Sequence, residues 1–385
     1  MLRTLLLSEI FPPEPGGSGR WFFESYRRLG SESCVFAVGE HAEASQFDVA
    51  NEDLDIRRLE LRMQSRGIAS LRSILDYGKR FRDVRRLVRV SKCAQIHAAR
   101  PLFEGLVAKW VSSITGVPYL CYIHGEDVAV AKTSRELTML TRWVLNSAKV
   151  LVANSGFTKR LLENEWTVDS KRIAVVNPGV DTNYFQPAER SLTIREKLGW
   201  GERKVVLTVG RLQERKGHDV CLRAFSRVIR EMPDALYAIV GNGEMLSELR
   251  ELTKSLGHRD QVVFHRGVTD EVLLSCYQQC DLFCLPNRQV GADVEGFGMV
   301  LLEAQSCEKP VIAGMSGGTA ETMLETETGF IIDCTEPTLL AKKLIELLND
   351  QKRRETMGER AREFVCEKFD WQAVAERSRQ VFEAI

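Results

Sequence analysis

The chain has 385 residues, 44% hydrophobic and 28% charged, which excludes a disordered or fibrous protein and is more than one core comfortably holds. Its 53 basic and 53 acidic side chains balance, yet residues 1–188 carry 26 basic against 21 acidic, so that half stands near +5 and the rest near −5. The acidic second half gives no reason to expect nucleic acid, and the apolar run Leu5-Leu6-Leu7 is too short for a signal-peptide core or a membrane span.

In chain order, apolar runs predict strands at 4–7, 34–38, 56–59, 94–97, 119–124, 150–153 and 173–176. Helical patterns fill most gaps, including 20–29, 103–115, 134–147 and 156–165. Strands alternating with helices make βαβ units and a parallel sheet, with right-handed crossover. The pattern pauses near Pro187, and a short polar stretch leads to 192–198, after which a second series begins. Its strands are expected at 205–209, 236–240, 262–264, 282–285, 311–313 and 330–332. Two such series imply two doubly wound, Rossmann-like domains facing across a cleft, with ligands outside the carboxyl ends of the strands.

Ten cysteines are scattered through predicted strands and helices without a Cys-x-x-Cys pair. Cys276, Cys280 and Cys284 look like a ligand cluster, but helix and strand placement makes them small buried hydrophobes. A reduced, cytoplasmic protein with no structural metal is expected.

The chemistry concentrates in the loops after strands. Arg211 and Lys216 lie five apart after the first strand of the second series, where a guanidinium and an ammonium can converge on a diphosphate; a solvated turn is the plainer alternative. Glu295 opens the turn Glu295-Gly296-Phe297-Gly298 before an apolar helix from Met299 and Val300, whose N-terminal amides are free for an anion or a sugar hydroxyl. Glu303 lies about two helical turns beyond Glu295, within that helix, where an unpartnered carboxylate is costly. A ribose diol would supply two donors, and pairing with an Arg or Lys would serve as well. Gly16 and Gly17 precede a helix and allow close approach of backbone to ligand. His124 and Gly125 end a strand, as do Gly241 and Gly243. Residues 57–92 hold twelve Lys or Arg against Glu60, Asp76 and Asp83. Leu71, Ile74, Leu75, Gly78, Phe81 and Val84 recur there at helical spacing, so a basic amphipathic helix is expected within 68–92, either a solvated face or a dock for anionic lipid.

Glu-x7-Glu within EGFGMVLLEA resembles the signature of the retaining family-4 glycosyltransferases, which have the GT-B fold. Gly16-Gly17, His124-Gly125-Glu126, Asn177-Pro178-Gly179-Val180-Asp181 and Val209-Gly210-Arg211 through Lys216-Gly217 occur in that family's order across nearly the whole chain. Within the family, LPNRQVGADVEGFGMVLLEA is most similar to the bacterial phosphatidylinositol mannosyltransferase group.

The resemblance implies an acceptor-binding domain at 1–188, a nucleotide-sugar domain at 189–368, and a last segment, 369–385, crossing back onto the first. It implies that Arg211 and Lys216 meet the departing diphosphate and that Glu295 and His124 contact the donor sugar. Glu303 would bind the ribose, with Phe297, Gly298, Met299 and Val300 presenting backbone to the sugar. Gly16, Gly17, Gly241, Gly243 and Val268 would line the donor site. Neither a metal nor another cofactor is expected. The partners expected are a nucleotide-diphosphate sugar (GDP-mannose or a UDP-hexose), a glycan or lipid-linked acceptor, and an anionic membrane surface on the cytoplasmic side. A sugar-nucleotide epimerase and a non-catalytic sugar-nucleotide-binding relative share this architecture and stay open.

Overall fold

A computed structural model describes residues 2–63 and 65–385. It divides into two compact units, Met1–Pro178 with Trp371–Ile385, and Gly179–Asp370. The division falls at Pro178, earlier than the pause near Pro187, because Val180 and Phe185 pack into the core of the second unit.

The first unit holds β1 (Thr4–Ser8), β2 (Cys34–Gly39), β3 (Asp55–Leu59), β4 (Gln95–Ala98), β5 (Tyr119–Ile123), β6 (Val150–Ala153) and β7 (Ile173–Val175). They form one parallel sheet ordered β3-β2-β1-β4-β5-β6-β7, with Leu5 of β1 opposite both Val35 and Ile96. The closing helix Trp371–Glu383 belongs to this unit. Gln95 Nε2 donates to the Phe382 carbonyl at 3.1 Å, and the Phe382 ring lies 4.4 Å from that of His97 and 5.4 Å from that of Tyr26.

The second unit holds β8 (Lys204–Val209), β9 (Ala235–Val240), β10 (Val262–His265), β11 (Leu282–Leu285), β12 (Val311–Gly314) and β13 (Gly329–Ile332), ordered β10-β9-β8-β11-β12-β13. Val205 and Leu207 point into one apolar cluster while Val206 points into the other, so β8 is buried on both faces. That burial explains why its sequence reads as a continuous apolar run rather than an alternation. Both sheets reverse their strand order once, between β1 and β4 and between β8 and β11. Loops leaving such a pair open a crevice that can receive ligand.

Two helices differ from expectation. The stretch at 103–115 becomes an α-helix only from Leu106, since Pro101–Gly105 forms a wider π turn. In the basic helix, Leu71–Val90, the buried side is made by Tyr77, Val84 and Val88. Leu71, Ile74, Leu75 and Gly78, expected to pack, are exposed. Arg80 is buried instead, its guanidinium donating to the carbonyls of Leu61, Arg62 and Asp76. Helical spacing alone does not say which part of a long helix its neighbours cover. Among the described residues, no helix is long and apolar enough to cross a membrane. The ten cysteines carry no disulfide; nine are buried and Cys366 is half-buried.

Candidate functional site

The loops after β8 and β11 meet at the reversal of the second sheet. Lys216 ends a 3-10 turn, Glu214–Lys216, which Gly217 closes at φ +70°. A Cβ on Gly217 would come within 1.8 Å of the Pro286 carbonyl oxygen, so glycine is what lets the two loops touch. Lys216 Nζ and Arg215 Nη1 each lie 2.5 Å from the same oxygen, Glu295 Oε2. Arg215 Nε reaches Asp293 Oδ1 at 3.1 Å. The side chains of Arg215, Lys216 and Glu295 are 11, 10 and 10% exposed. Burial pushes the Glu295 carboxyl up, but Lys216 and Arg215 outweigh it and hold it below the usual glutamate value. Its other oxygen, Oε1, accepts no hydrogen bond among the described residues.

Arg211 occupies the start of the same loop and is exposed. Its guanidinium has no ion pair or hydrogen bond among the described residues, while its carbonyl accepts from His218 Nε2 at 3.2 Å. Arg288, after β11, braces the loop from the far side through Asp219 (2.8 Å) and Glu214 (3.5 Å). Asn287 ties this loop to the next: its side chain donates to the Ser316 carbonyl and accepts from the Gly314 amide, each at 2.9 Å.

Phe297 and Gly298 are buried and lead into the helix Met299–Ser306, whose first residues, Met299 and Val300, are half-buried. Gly298 caps the helix in the left-handed region at φ +99°, with no side-chain cap on the first amides. Glu303 is buried in this helix, and its Oε2 accepts a 2.6 Å hydrogen bond from the Tyr277 hydroxyl. A tyrosine hydroxyl is therefore one partner of this carboxylate.

Gly241 and Gly243 follow β9 and are pressed against the Arg211 loop. A Cβ on Gly241 would approach the Gly210 carbonyl to 1.9 Å, and one on Gly243 the Leu212 carbonyl to 2.5 Å. Their backbone continues the contact, since the Leu212 amide donates to the Asn242 carbonyl at 2.9 Å and the Met245 amide to the Leu212 carbonyl at 3.1 Å. These glycines thus set the position of Arg211. Val268, beyond β10, is half-buried.

The first unit holds the remaining predicted residues. Gly16 precedes the helix Gly17–Arg27, which has no acidic residue in its first turn and no side-chain cap. His124, at the end of β5, is half-buried between the rings of Trp21 and Phe22, at 5.7 and 5.9 Å. Its Nε2 donates to the Ala99 carbonyl at 2.9 Å, which leaves Nδ1 as an acceptor. Burial lowers its pKa, so the ring is neutral at pH 7. At this sheet's reversal, Glu104 is 1% exposed; its Oε1 accepts from the Glu9 amide at 3.1 Å, and burial pushes its carboxyl up. A cavity of about 490 Å³ opens at the ends of β1, β2 and β3, with Glu9, Glu14, Glu40, His41, Glu60 and Arg62 among its lining.

Sequence reasoning missed Asp293 and Tyr277, and it read Arg215 only as pointing away or supporting the loop. Arg215 and Asp293 sit beside recognised residues as ordinary surface charges, with nothing in the sequence to say that they meet across two loops. A tyrosine on the apolar side of its helix, three and four residues after Leu274 and Leu273, was the available signal for Tyr277, because a buried hydroxyl needs a partner.

Residues 191–382 match the family model "Glycosyl transferases group 1", and residues 20–179 match "Glycosyl transferase 4-like domain". A GDP-mannose-dependent alpha-(1-6)-phosphatidylinositol monomannoside mannosyltransferase of Mycobacterium tuberculosis is 31% identical over 97% of this chain and 96% of its own length. The protein of that name from Mycolicibacterium smegmatis is 36% identical over 64% of this chain and 65% of its own. Among solved structures, Anabaena HepE in complex with UDP and glucose superposes with a TM-score of 0.83 at 18% identity, covering all of both chains. Sucrose-phosphate synthase of Thermosynechococcus elongatus follows at 0.76 and 20%, over 99% of this chain and 98% of that one. With paired Rossmann-like sheets and the charged loops of the second one accounted for, the chain belongs to the group 1 glycosyltransferases of GT-B fold.

Proposed function

We propose that the chain is a retaining, metal-independent glycosyltransferase of family 4 that moves a hexose from a nucleotide-diphosphate sugar to a hydroxyl of a glycan or lipid-linked acceptor. The observation that carries this reading is the meeting of Lys216 with Glu295 at the reversal of the second sheet, in the loop that also presents the Arg211 guanidinium, unpaired among the described residues. Arg211 and Lys216 neutralise charge growing on the departing diphosphate, the electrostatic contribution that usually dominates such transfers. Glu295 offers Oε1 to a sugar hydroxyl, with the backbone of 297–300 beside it. Glu303, already oriented by Tyr277, takes the ribose hydroxyls. Val268 contributes to the base pocket.

The bond from the anomeric carbon to the diphosphate oxygen breaks as the acceptor oxygen attacks from the same face, and the acceptor proton leaves with the diphosphate. For the first unit, the family resemblance supports a role for His124 toward the donor sugar and for Gly16 and Gly17 toward the diphosphate. The carboxylate-lined cavity beyond β1–β3 suits the hydroxyls of an acceptor sugar. Relatives named for GDP-mannose favour that donor over a UDP-hexose, and their phosphoinositide acceptors favour a membrane-borne one. The exposed apolar and basic residues of the helix Leu71–Val90 support docking on anionic lipid at the cytoplasmic face.

Incubation with GDP-mannose and with UDP-hexoses, with and without a phosphoinositide acceptor, tests the proposal by chromatography of the products. Transfer that consumes donor and acceptor together supports it. A new nucleotide sugar formed without acceptor makes the chain an epimerase, and binding without any product makes it a non-catalytic relative.

A further inference from the structure

We propose that Arg215 is a positioning residue whose guanidinium frees Lys216 to exchange Glu295 for the donor diphosphate; this rests on the role given to Lys216 above. Both cations converge on one oxygen, Glu295 Oε2, in a site where all three side chains are nearly buried. A buried carboxylate deprived of its only counter-ion is strongly destabilised. If Lys216 were that only partner, turning toward a diphosphate would orphan Glu295, and donor binding would have to overcome the loss. With Arg215 in place, Glu295 keeps a charge-assisted hydrogen bond whichever way Lys216 points.

The geometry also says which of the two cations stays. Arg215 is fixed at three points: Nη1 on Glu295, Nε on Asp293 Oδ1, and its own carbonyl, which accepts from the Arg288 amide at 2.8 Å. A planar guanidinium held by two carboxylates cannot turn without breaking both contacts. Lys216 carries a compact ammonium on a flexible four-carbon stem, with two further donors to offer. Lys216 is therefore the member that moves, and Arg215 the one that keeps Glu295 ionised and aimed with Oε1 open.

Calorimetric titration of GDP and of UDP into the whole chain tests this with five proteins: wild type, Arg215→Met, Arg215→Lys, Glu295→Gln and the double variant Arg215→Met/Glu295→Gln. Arg215→Met should bind the nucleoside diphosphate that wild type prefers about tenfold more weakly or worse, because Lys216 is retained by Glu295. Arg215→Lys should stay within a few-fold of wild type. Glu295→Gln should bind at least as tightly as wild type, and the double variant should recover most of the loss, since no carboxylate then competes for Lys216. A merely structural Arg215 predicts a double variant no better than Arg215→Met. Unchanged affinity in Arg215→Met, weakened affinity in Glu295→Gln, or failure of the double variant to recover overturns the inference. A wild type that binds neither nucleoside diphosphate overturns the reading of the whole site, and the role of Arg215 falls with it.

Discussion

The two sheets reverse their order in the same way, yet the loops at the two reversals differ in how their charges are paired. Between β1 and β4 one cation, Arg100, stands among carboxylates and a neutral ring: Glu104 pushed up by burial, Glu9 beside it, and an uncharged His124 at the end of β5. Between β8 and β11 lie Arg211, Arg215, Lys216 and Arg288, with Glu214, Asp219, Asp293 and Glu295 as counter-charges. The net charges run the other way, near +5 for residues 1–188 and near −5 for the rest. Much of the excess positive charge of the first half sits on the helix Leu71–Val90, outside the loops of the reversal. Net charge therefore says little about what a strand-end loop can hold. Local pairing shows which carboxylates and cations are already committed to one another, and so what remains to meet a ligand.

The sharpest way to break this contrast is to remove a cation from the second reversal. Arg211→Ala and Lys216→Ala should each lower kcat by about 10²–10³, more than they raise the donor KM, because the charge they meet grows in the transition state. Steady-state kinetics that retain activity within a few-fold would move the diphosphate site elsewhere. Glu303→Ala comes next. Loss of a charged acceptor for ribose hydroxyls should cost about 1.5–3 kcal/mol of nucleotide affinity. Because the same change leaves the Tyr277 hydroxyl unpaired, Tyr277→Phe is the control. Calorimetry should find it much milder than Glu303→Ala if Glu303 meets the ribose directly.

The thirteen strands were legible because strands buried in parallel sheets are bounded apolar runs, and their order along the chain implied two series. The loop residues at the second reversal were legible as motifs, with Arg211, Lys216, Glu295 and Glu303 at telling spacings. Their mutual arrangement was not. That Arg215 rather than a ligand shares Glu295 with Lys216, and that Tyr277 orients Glu303, depends on which loops the sheet order brings together. Gly241 and Gly243 show the same limit. In sequence they read as a turn beside a nucleotide, whereas the folded chain uses them to let β9's loop press against Leu212 and Gly210. Likewise, the helix Leu71–Val90 was legible, but the choice of Tyr77, Val84 and Val88 over Leu71, Ile74 and Leu75 as its buried side belongs to its neighbours.

Each unit also buries a neutral histidine, which gives the contrast a pH dependence common to both. Burial lowers the pKa of His97 from 6.5 to about 3 and that of His218 from 6.5 to about 4. Below pH 6.5 the unfolded chain binds protons that the folded chain refuses, so stability is complete above that value and falls as the medium is acidified toward each folded value. Each pH unit in that window should remove about 1.4 kcal/mol per histidine. Thermal melting at pH 7 and pH 5.5 should therefore show a lower Tm at the acid end. A Tm that does not move would mean that these rings are not held neutral.

The smallest effect expected concerns the excess charge of the first unit, away from either reversal. On the helix Leu71–Val90, Leu71 is 81%, Ile74 53% and Leu75 74% exposed, among the exposed cations Arg72, Lys79, Arg82, Arg86 and Arg89. Apolar side chains beside several cations suit an anionic bilayer, in which the charges meet headgroups and the side chains enter the boundary below them. Lys79 is partly committed to Glu60 and Arg85 is half-buried, so Arg86 is a cleaner probe. Arg86→Gln should weaken cosedimentation with anionic vesicles about fivefold, the equivalent of about 1 kcal/mol for one cation near the surface. Wild-type binding should fall as salt rises, since exposed charges are screened within about 8 Å at physiological ionic strength. Leu75→Asn should weaken binding as well, by an amount that salt leaves unchanged, because its contribution is apolar. Neither change should alter nucleotide affinity, which the reading places on the second unit. Cosedimentation indifferent to lipid charge, to salt and to Leu75 would make this helix an ordinary solvated face, and the acceptor would then be sought among soluble glycans.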